Sequence, residues 1–344
     1  MQMIRHVFVQ AVTVFVIAAA FSVPAVAQSL IVLNKSDHEA ALVNPATRTV
    51  AQKLPTGKGP HEVAVSPNGR MAYVTNYGSF AIFRDAQQAE QRRMEPGHTI
   101  TVLDLKKRAV AATWELGDYK QPHGIAVSSN GKRVWVTVEG SKAVLELDAK
   151  SGKVLTAWPT EQEVSHMVVA TPNQRKLYVA NIRSGSVTVI DRSVPFTKSA
   201  VKTIVTAPGA EGIDVTPDGR EVWVVNRAAD SISVIEVASD AVTKTFASGG
   251  KFPIRVKFTP DGRLALVSNA QSNQVAVFDA KTRELLGTIE VGAVPVGIQI
   301  TPDGKLAYVA NTNANLVSVL DIAARKVTAT FTTGNEPDGM AWAK

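Results

Sequence analysis

The chain has 344 residues, 45% of them hydrophobic and 19% charged, with a formal net charge of +7. That composition suits a globular protein with a large core and excludes a disordered or collagen-like chain. There is no cysteine, which excludes disulfide staples, thiolate metal ligands and cysteine nucleophiles. No block of like charge stands out, so no nucleic-acid-binding stripe is expected.

The first 27 residues stand apart. Arg5 is followed by an apolar run from Val7 to Phe21, interrupted by Gln10 and Thr13, then by Ser22, Pro24 and the small-residue triplet Ala25-Val26-Ala27. A basic start, an apolar stretch and a small-x-small end predict a secretory signal peptide cleaved before Gln28. The apolar run is short for a spanning helix of about 20 residues. With Arg5 gone the remaining chain carries about +6, and no cysteine follows the leader to take a lipid. The expected location is the periplasm or the exterior, with no integral membrane segment after leader removal.

From residue 28 onward the chain repeats. Six turns share one signature: Ser66-Pro67-Asn68-Gly69, Ser128-Ser129-Asn130-Gly131, Thr171-Pro172-Asn173-Gln174, Thr216-Pro217-Asp218-Gly219, Thr259-Pro260-Asp261-Gly262 and Thr301-Pro302-Asp303-Gly304. Proline presets φ, and Asn/Asp-Gly tolerates positive φ, so each is expected to be a tight hairpin between two apolar strands. The strands after these turns read Tyr73-Val74-Thr75-Asn76, Trp135-Val136-Thr137-Val138, Tyr178-Val179-Ala180-Asn181, Trp223-Val224-Val225-Asn226, Leu266-Val267-Ser268-Asn269 and Tyr308-Val309-Ala310-Asn311. Ile31-Val32-Leu33-Asn34 is a seventh copy. Third strands end on an acid, as in Val187 to Asp191, and a more variable fourth follows. Four short strands in about 42 to 45 residues is the period of a propeller blade. The spacing predicts an all-β, seven-bladed propeller of four-stranded antiparallel blades over residues 28–344. The last strand, Asp338 to Trp342, is expected to complete the blade begun by Leu30 to Asn34.

The Tyr73-Val74-Thr75-Asn76 strand and its copies resemble the YVTN family of β-propeller repeats, across essentially all of residues 29–344. The resemblance implies the fold. It is weak for function, because similar propellers serve as surface proteins, binding scaffolds, lactonases, lyases and subunits of redox enzymes.

Two columns of residues fall at equivalent blade positions near the mouth of the central channel. Just ahead of each innermost strand the first reads His61, His123, His166, Glu211, Ile254, Val296 and Asp338, with Glu62 and Arg255 one residue along. Half of the six histidines thus share one position in three consecutive blades. His61, His123, His166 and Glu211 form a sensible ligand set for one divalent Zn, Fe or Mn ion, with Glu62 or Glu211 as general base. Histidines on successive inner strands also resemble the iron site of carotenoid oxygenases, in part, since those use four. The bland alternative is histidines that bond backbone groups.

The second column follows each second strand and includes Lys35, Arg183 and Arg227. With Arg255 and Asp338 these are candidate ligand-binding residues, since Arg forks suit carboxylate or phosphate. The recurring asparagine of that column is expected to cap its strand through its own backbone. His61 and His123 are 62 residues apart where other blades span about 43, which marks an insertion over 78–97, rich in helix formers.

No serine-protease triad order, phosphate-binding glycine loop, haem motif or zinc-protease helix is present. The sequence therefore supports an exported hydrolase or lyase acting on a small anionic or lactone-like molecule. The alternative is a non-catalytic periplasmic binding or scaffold protein, or the propeller subunit of a redox assembly, with protein partners.

The leader generates one direct prediction. Intact mass and N-terminal sequencing of the exported protein should place Gln28 first, and full-length protein retained in the membrane would contradict it.

Overall fold

The computed structural model describes residues 28–78, 96–195 and 200–343. The leader, and residues 79–95 of the expected insertion, lie outside them. The described strands form seven four-stranded antiparallel sheets. In blade one, Pro337–Ala343 pairs with Ser29–Asn34, which is followed by Glu39–Asn44 and Thr49–Pro55. Blades two to seven follow in chain order, with innermost strands Pro60–Val65, Pro122–Val127, Ser165–Ala170, Ala210–Val215, Pro253–Phe258 and Pro295–Ile300. The expected architecture holds, including the blade shared between the two chain ends. Among the described residues no helix is long and apolar enough to cross a membrane.

The repeated turn works through its first residue as much as through its proline and glycine. The Ser66 hydroxyl donates to Asn68 Oδ1 and accepts the Met71 N–H, and the Gly69 N–H closes the turn on the Ser66 carbonyl. Thr301, Asp303, Leu306 and Gly304 repeat this arrangement. A hydroxyl at that position serves as donor and acceptor at once, which explains why all six copies have Ser or Thr there. Gly69 and Gly304 sit at φ near +70°, and the one copy without glycine places Gln174 in the same left-handed region.

The recurring asparagine is structural, but not in the way expected. Asn76 donates to the Thr99 and Thr101 hydroxyls and accepts the Gly57 N–H, so it ties the second strand to the third and to the loop ahead of the inner strand. Asn181 bonds Ser186 and Thr188, and Asn226 bonds Ser231 and Ser233 in the same manner. These side chains are buried, so their partners must be built in. Hydroxyls of the adjacent third strand supply them, and Asn311 adds a bond to the Val309 carbonyl of its own strand.

The described residues form seven cores, one at each interface between neighbouring blades. Trp135 and Trp158 of blade three pack on Leu177, Val179 and Ile190 of blade four. Trp223 packs on Phe258 and Phe278 across the interface of blades five and six. Second and third strands are buried on both faces, which is why they read as apolar runs without alternation. Hydroxyls pin the interfaces near the axis: Thr75 donates to the His123 carbonyl at 2.7 Å and Thr137 to the His166 carbonyl at 2.6 Å.

At the axis the inner strands nearly touch. A Cβ on Gly297 would lie 2.1 Å from the Asp338 carbonyl oxygen, and one on Gly124 would lie 2.5 Å from that of His166. Gly212 and Gly339 are equally confined by the next inner strand.

The two ends of the chain meet in several bonds around this ring. Thr333 donates to Asn34 Oδ1, the Lys35 N–H to the Glu336 carbonyl, and Asn335 to Asp37. Truncation after Asn335 removes the buried Met340, Ala341 and Ala343 and a full ladder of strand pairs. That costs on the order of 5 kcal/mol or more and bares two apolar edges. The truncated protein should be insoluble, or melt at least 10 °C lower by circular dichroism. Melting like the intact chain would place the closure elsewhere.

Candidate functional site

The first column lies inside the inner strands and not ahead of them. Each of these strands starts two residues earlier than the sequence suggested, with proline as first residue in five of the seven. Proline fits there because a first residue can go without a ladder donor. A register shift then falls on the column itself, between Pro60 and Val63, Pro122 and Ile125, Ser165 and Val168, and Ala210 and Ile213. A bulge re-aims side chains, and here its residues are His61, His123, His166 and Glu211.

Those four are brought together and are nearly inaccessible, with relative exposures of 3%, 4%, 5% and 1%. The His61 and His123 ring centroids are 5.0 Å apart, and those of His123 and His166 are 3.7 Å apart with planes at 30°. His166 Nε2 lies 3.6 Å from Glu211 Oε1. Two residues of the second column complete the group. Glu139 Oε1 accepts from His166 Nδ1 at 2.5 Å, and its Oε2 accepts the Tyr77 hydroxyl at 2.6 Å. Sequence reasoning missed Glu139 and Tyr77 as site members. The signal was a column of asparagines, interrupted once by the Val138-Glu139 pair.

The polar arc spans blades one to five, while Ile254 and Val296 fill the column in blades six and seven. The candidate cations are distributed unevenly around it. Lys35 pairs with Asp338 at 2.9 Å, and Arg227 with Glu211 Oε2 at 2.9 Å. Arg255 reaches across the channel from blade six to Glu62 of blade two at 2.5 Å, and its other nitrogen lies 3.3 Å from the Met167 sulfur of blade four. Arg183 stands apart, three-quarters exposed and 3.8 Å from Glu163. Glu62, Met167 and Arg255 also line a cavity of about 410 Å³, together with Ile125, Val169, Ile213, Ile298 and Met340. None of the three histidines lines that cavity.

The three imidazoles differ in charge. Burial and the nearby Lys35 ammonium hold His61 down at about 4, and its Nδ1–H donates to the Gly59 carbonyl. Burial, then the charges of His166 and His61, push His123 well below the ordinary histidine value. Its Nδ1 has no hydrogen-bond partner among the described residues. Burial also disfavours a charged His166, but Glu139 and Glu211 outweigh it and raise that imidazole to about 9. The Tyr77 phenol is raised by burial and by Glu139. His123, Glu139 and His166 each offer a ligand atom within 4.8 Å of the others.

Sequence profiles of three kinds match the chain: YNCE-like beta-propeller over residues 4–105, Esterase-like activity of phytase over 63–232, and Lactonase, 7-bladed beta-propeller over 193–296. The chain is a seven-bladed propeller, similar over parts of its length to YNCE-like and lactonase propellers. It is 21% identical over 251 residues to a 6-phosphogluconolactonase of Enterobacter sp. (strain 638), covering 68% of this chain and 70% of that one. Among solved structures it is similar to hydrazine synthase of Kuenenia stuttgartiensis, with a TM-score of 0.71, 20% identity, and 86% and 92% of the two chains covered. It is also similar to the periplasmic gluconolactonase of Pseudomonas aeruginosa, with a TM-score of 0.72, 17% identity, and 92% and 99% covered.

The buried neutral imidazole of His61 makes a prediction about acid stability. Its folded pKa lies below the unfolded value, so the unfolded chain binds more protons between about pH 6.5 and 4. Stability should therefore fall as pH drops through that window, and His61→Gln should flatten the slope in urea titrations taken at several pH values. An unchanged slope would place the acid lability in other groups.

Proposed function

We propose that this propeller is an exported hydrolase of small anionic lactones or related esters, acting at the histidine arc. The observation that carries the reading is the unbroken run of contacts that joins His61, His123, His166, Glu139 and Glu211 along the ring. Its similarity to lactonase propellers, by profile and by fold, supports the same class. Ester hydrolysis needs a proton acceptor for water and positive charge for the developing oxyanion. Of the two carboxylates the sequence offered as base, Glu211 suits the first role better. Its Oε1 has no hydrogen-bond partner among the described residues, whereas Glu62 Oε1 is held by Arg255. Lys35 and Arg227, each already paired with a carboxylate, lie on the arc and would meet an anionic group of the substrate by exchanging partners. Periplasmic location rests on the leader and agrees with the location named for the Pseudomonas gluconolactonase.

The likeness to the hydrazine synthase chain favours a second reading, a propeller subunit of a larger redox assembly. One experiment separates them. Mature protein should open D-glucono-1,5-lactone or its 6-phosphate faster than the spontaneous rate, followed by proton release at constant pH. Glu211→Gln should lower kcat by about 10²–10⁴-fold without changing the melting temperature by more than a few degrees. Turnover no faster than buffer would remove the hydrolase reading in favour of the subunit.

A further inference from the structure

We propose that His123, His166 and Glu139 hold one divalent metal ion of the zinc type, with Tyr77 fixing the carboxylate. The proposal deepens the hydrolase reading and rests on the same site, but the ligand set is not the one the column suggested. His61 and Glu211 fall outside the group of residues whose ligand atoms lie within 4.8 Å of one another, and Glu211 stands beyond His166 with one oxygen on Arg227. Glu139, from the second column, is instead the carboxylate whose ligand atom lies within 4.8 Å of both imidazoles.

Two imidazoles and a carboxylate match the three-ligand sets of catalytic zinc, which leave a fourth position for water. Ligand atoms about 2.0–2.2 Å from one ion sit closer together than 4.8 Å, so each must move in by roughly an ångström, a side-chain adjustment. Three further observations point to an ion and not to a closed hydrogen-bond cluster. His123 is nine-tenths buried or more, and its Nδ1 has no partner among the described residues, which is costly unless something takes that lone pair or proton. Tyr77 donates to the far oxygen of Glu139, which leaves Oε1 oriented toward the imidazoles, as outer partners orient a metal-bound carboxylate. The cations of the site are already neutralised, Lys35 by Asp338, Arg227 by Glu211 and Arg255 by Glu62, so a dication meets paired charges. In this arrangement His166 Nδ1 gives up its proton to solvent and turns its lone pair to the ion. Glu211 stays outside the ligand set, free to act as the base that the hydrolase reading needs.

The test is binding and does not require turnover. Mature protein stripped with a chelator is titrated with Co²⁺ and Zn²⁺, following visible cobalt absorption and heat. The expected result is one equivalent bound, with tetrahedral or five-coordinate cobalt bands. His123→Gln and Glu139→Gln should each weaken binding by about a hundredfold or more, and Tyr77→Phe by about tenfold. His61→Gln should keep full stoichiometry. If neither metal binds to the wild-type protein, the centre does not exist. If His61→Gln loses the ion as completely as His123→Gln, the proposed ligand set is wrong. Stoichiometric cobalt without lactone turnover would leave the metal and remove the hydrolase reading. Turnover that survives stripping, with no cobalt bound, would do the reverse.

Discussion

Seven inner strands converge on one axis so closely that Gly124, Gly212, Gly297 and Gly339 have no room for a Cβ. Neighbouring backbones occupy that space, and the ring is fixed by main chain against main chain. This close approach sets the distance between equivalent positions in successive blades. It allows three imidazoles from three blades to lie within ring contact of one another. A wider ring would leave the same residues as three separate surface histidines. Thr75 and Thr137 reinforce the spacing by donating to carbonyls of the column residues themselves, so a hydroxyl in one blade holds the backbone of the site residue in the next.

The remaining positions next to the column carry Glu62, Met167 and Arg255, and they are as informative as the glycines. Where the backbone leaves room, a side chain enters the channel, and these three come from alternate blades and meet. The cost of burying the Arg255 and Glu62 charges is met by pairing them with each other at 2.5 Å. Burial disfavours the Arg255 charge, but Glu62, Asp338 and Glu211 more than offset it and raise its pKa. The polar arc above this layer follows the same logic, with each carboxylate taken by a cation, an imidazole or a phenol.

Fold and site differed in how far the residues alone could carry them. Blade count, strand order and the shared first blade follow from periodicity, because each blade repeats one turn chemistry and one apolar strand pattern. The histidine column was legible for the same reason, since equivalence in a repeat becomes proximity in a ring. Glu139 was not legible. Its closeness to His166 depends on a bulge at the inner strand and on a short helical turn, Glu139–Ser141, whose counterpart in blade seven, Thr312–Ala314, carries a threonine in place of the glutamate. The pairing of Glu62 with Arg255 was equally hidden, because 193 residues and four blades separate them along the chain. The asparagines were assigned to structure correctly, but Asn76, Asn181 and Asn226 bond the third strand and not a local cap, and the two leave the same trace in sequence.

The brace between Glu62, Met167 and Arg255 also gives the axis two different linings. Three side chains from blades two, four and six meet there, so one guanidinium is shared between a carboxylate and a thioether. These three residues line the 410 Å³ cavity, and the three histidines do not. A molecule resting in that cavity therefore meets a charge pair and apolar side chains, and no imidazole.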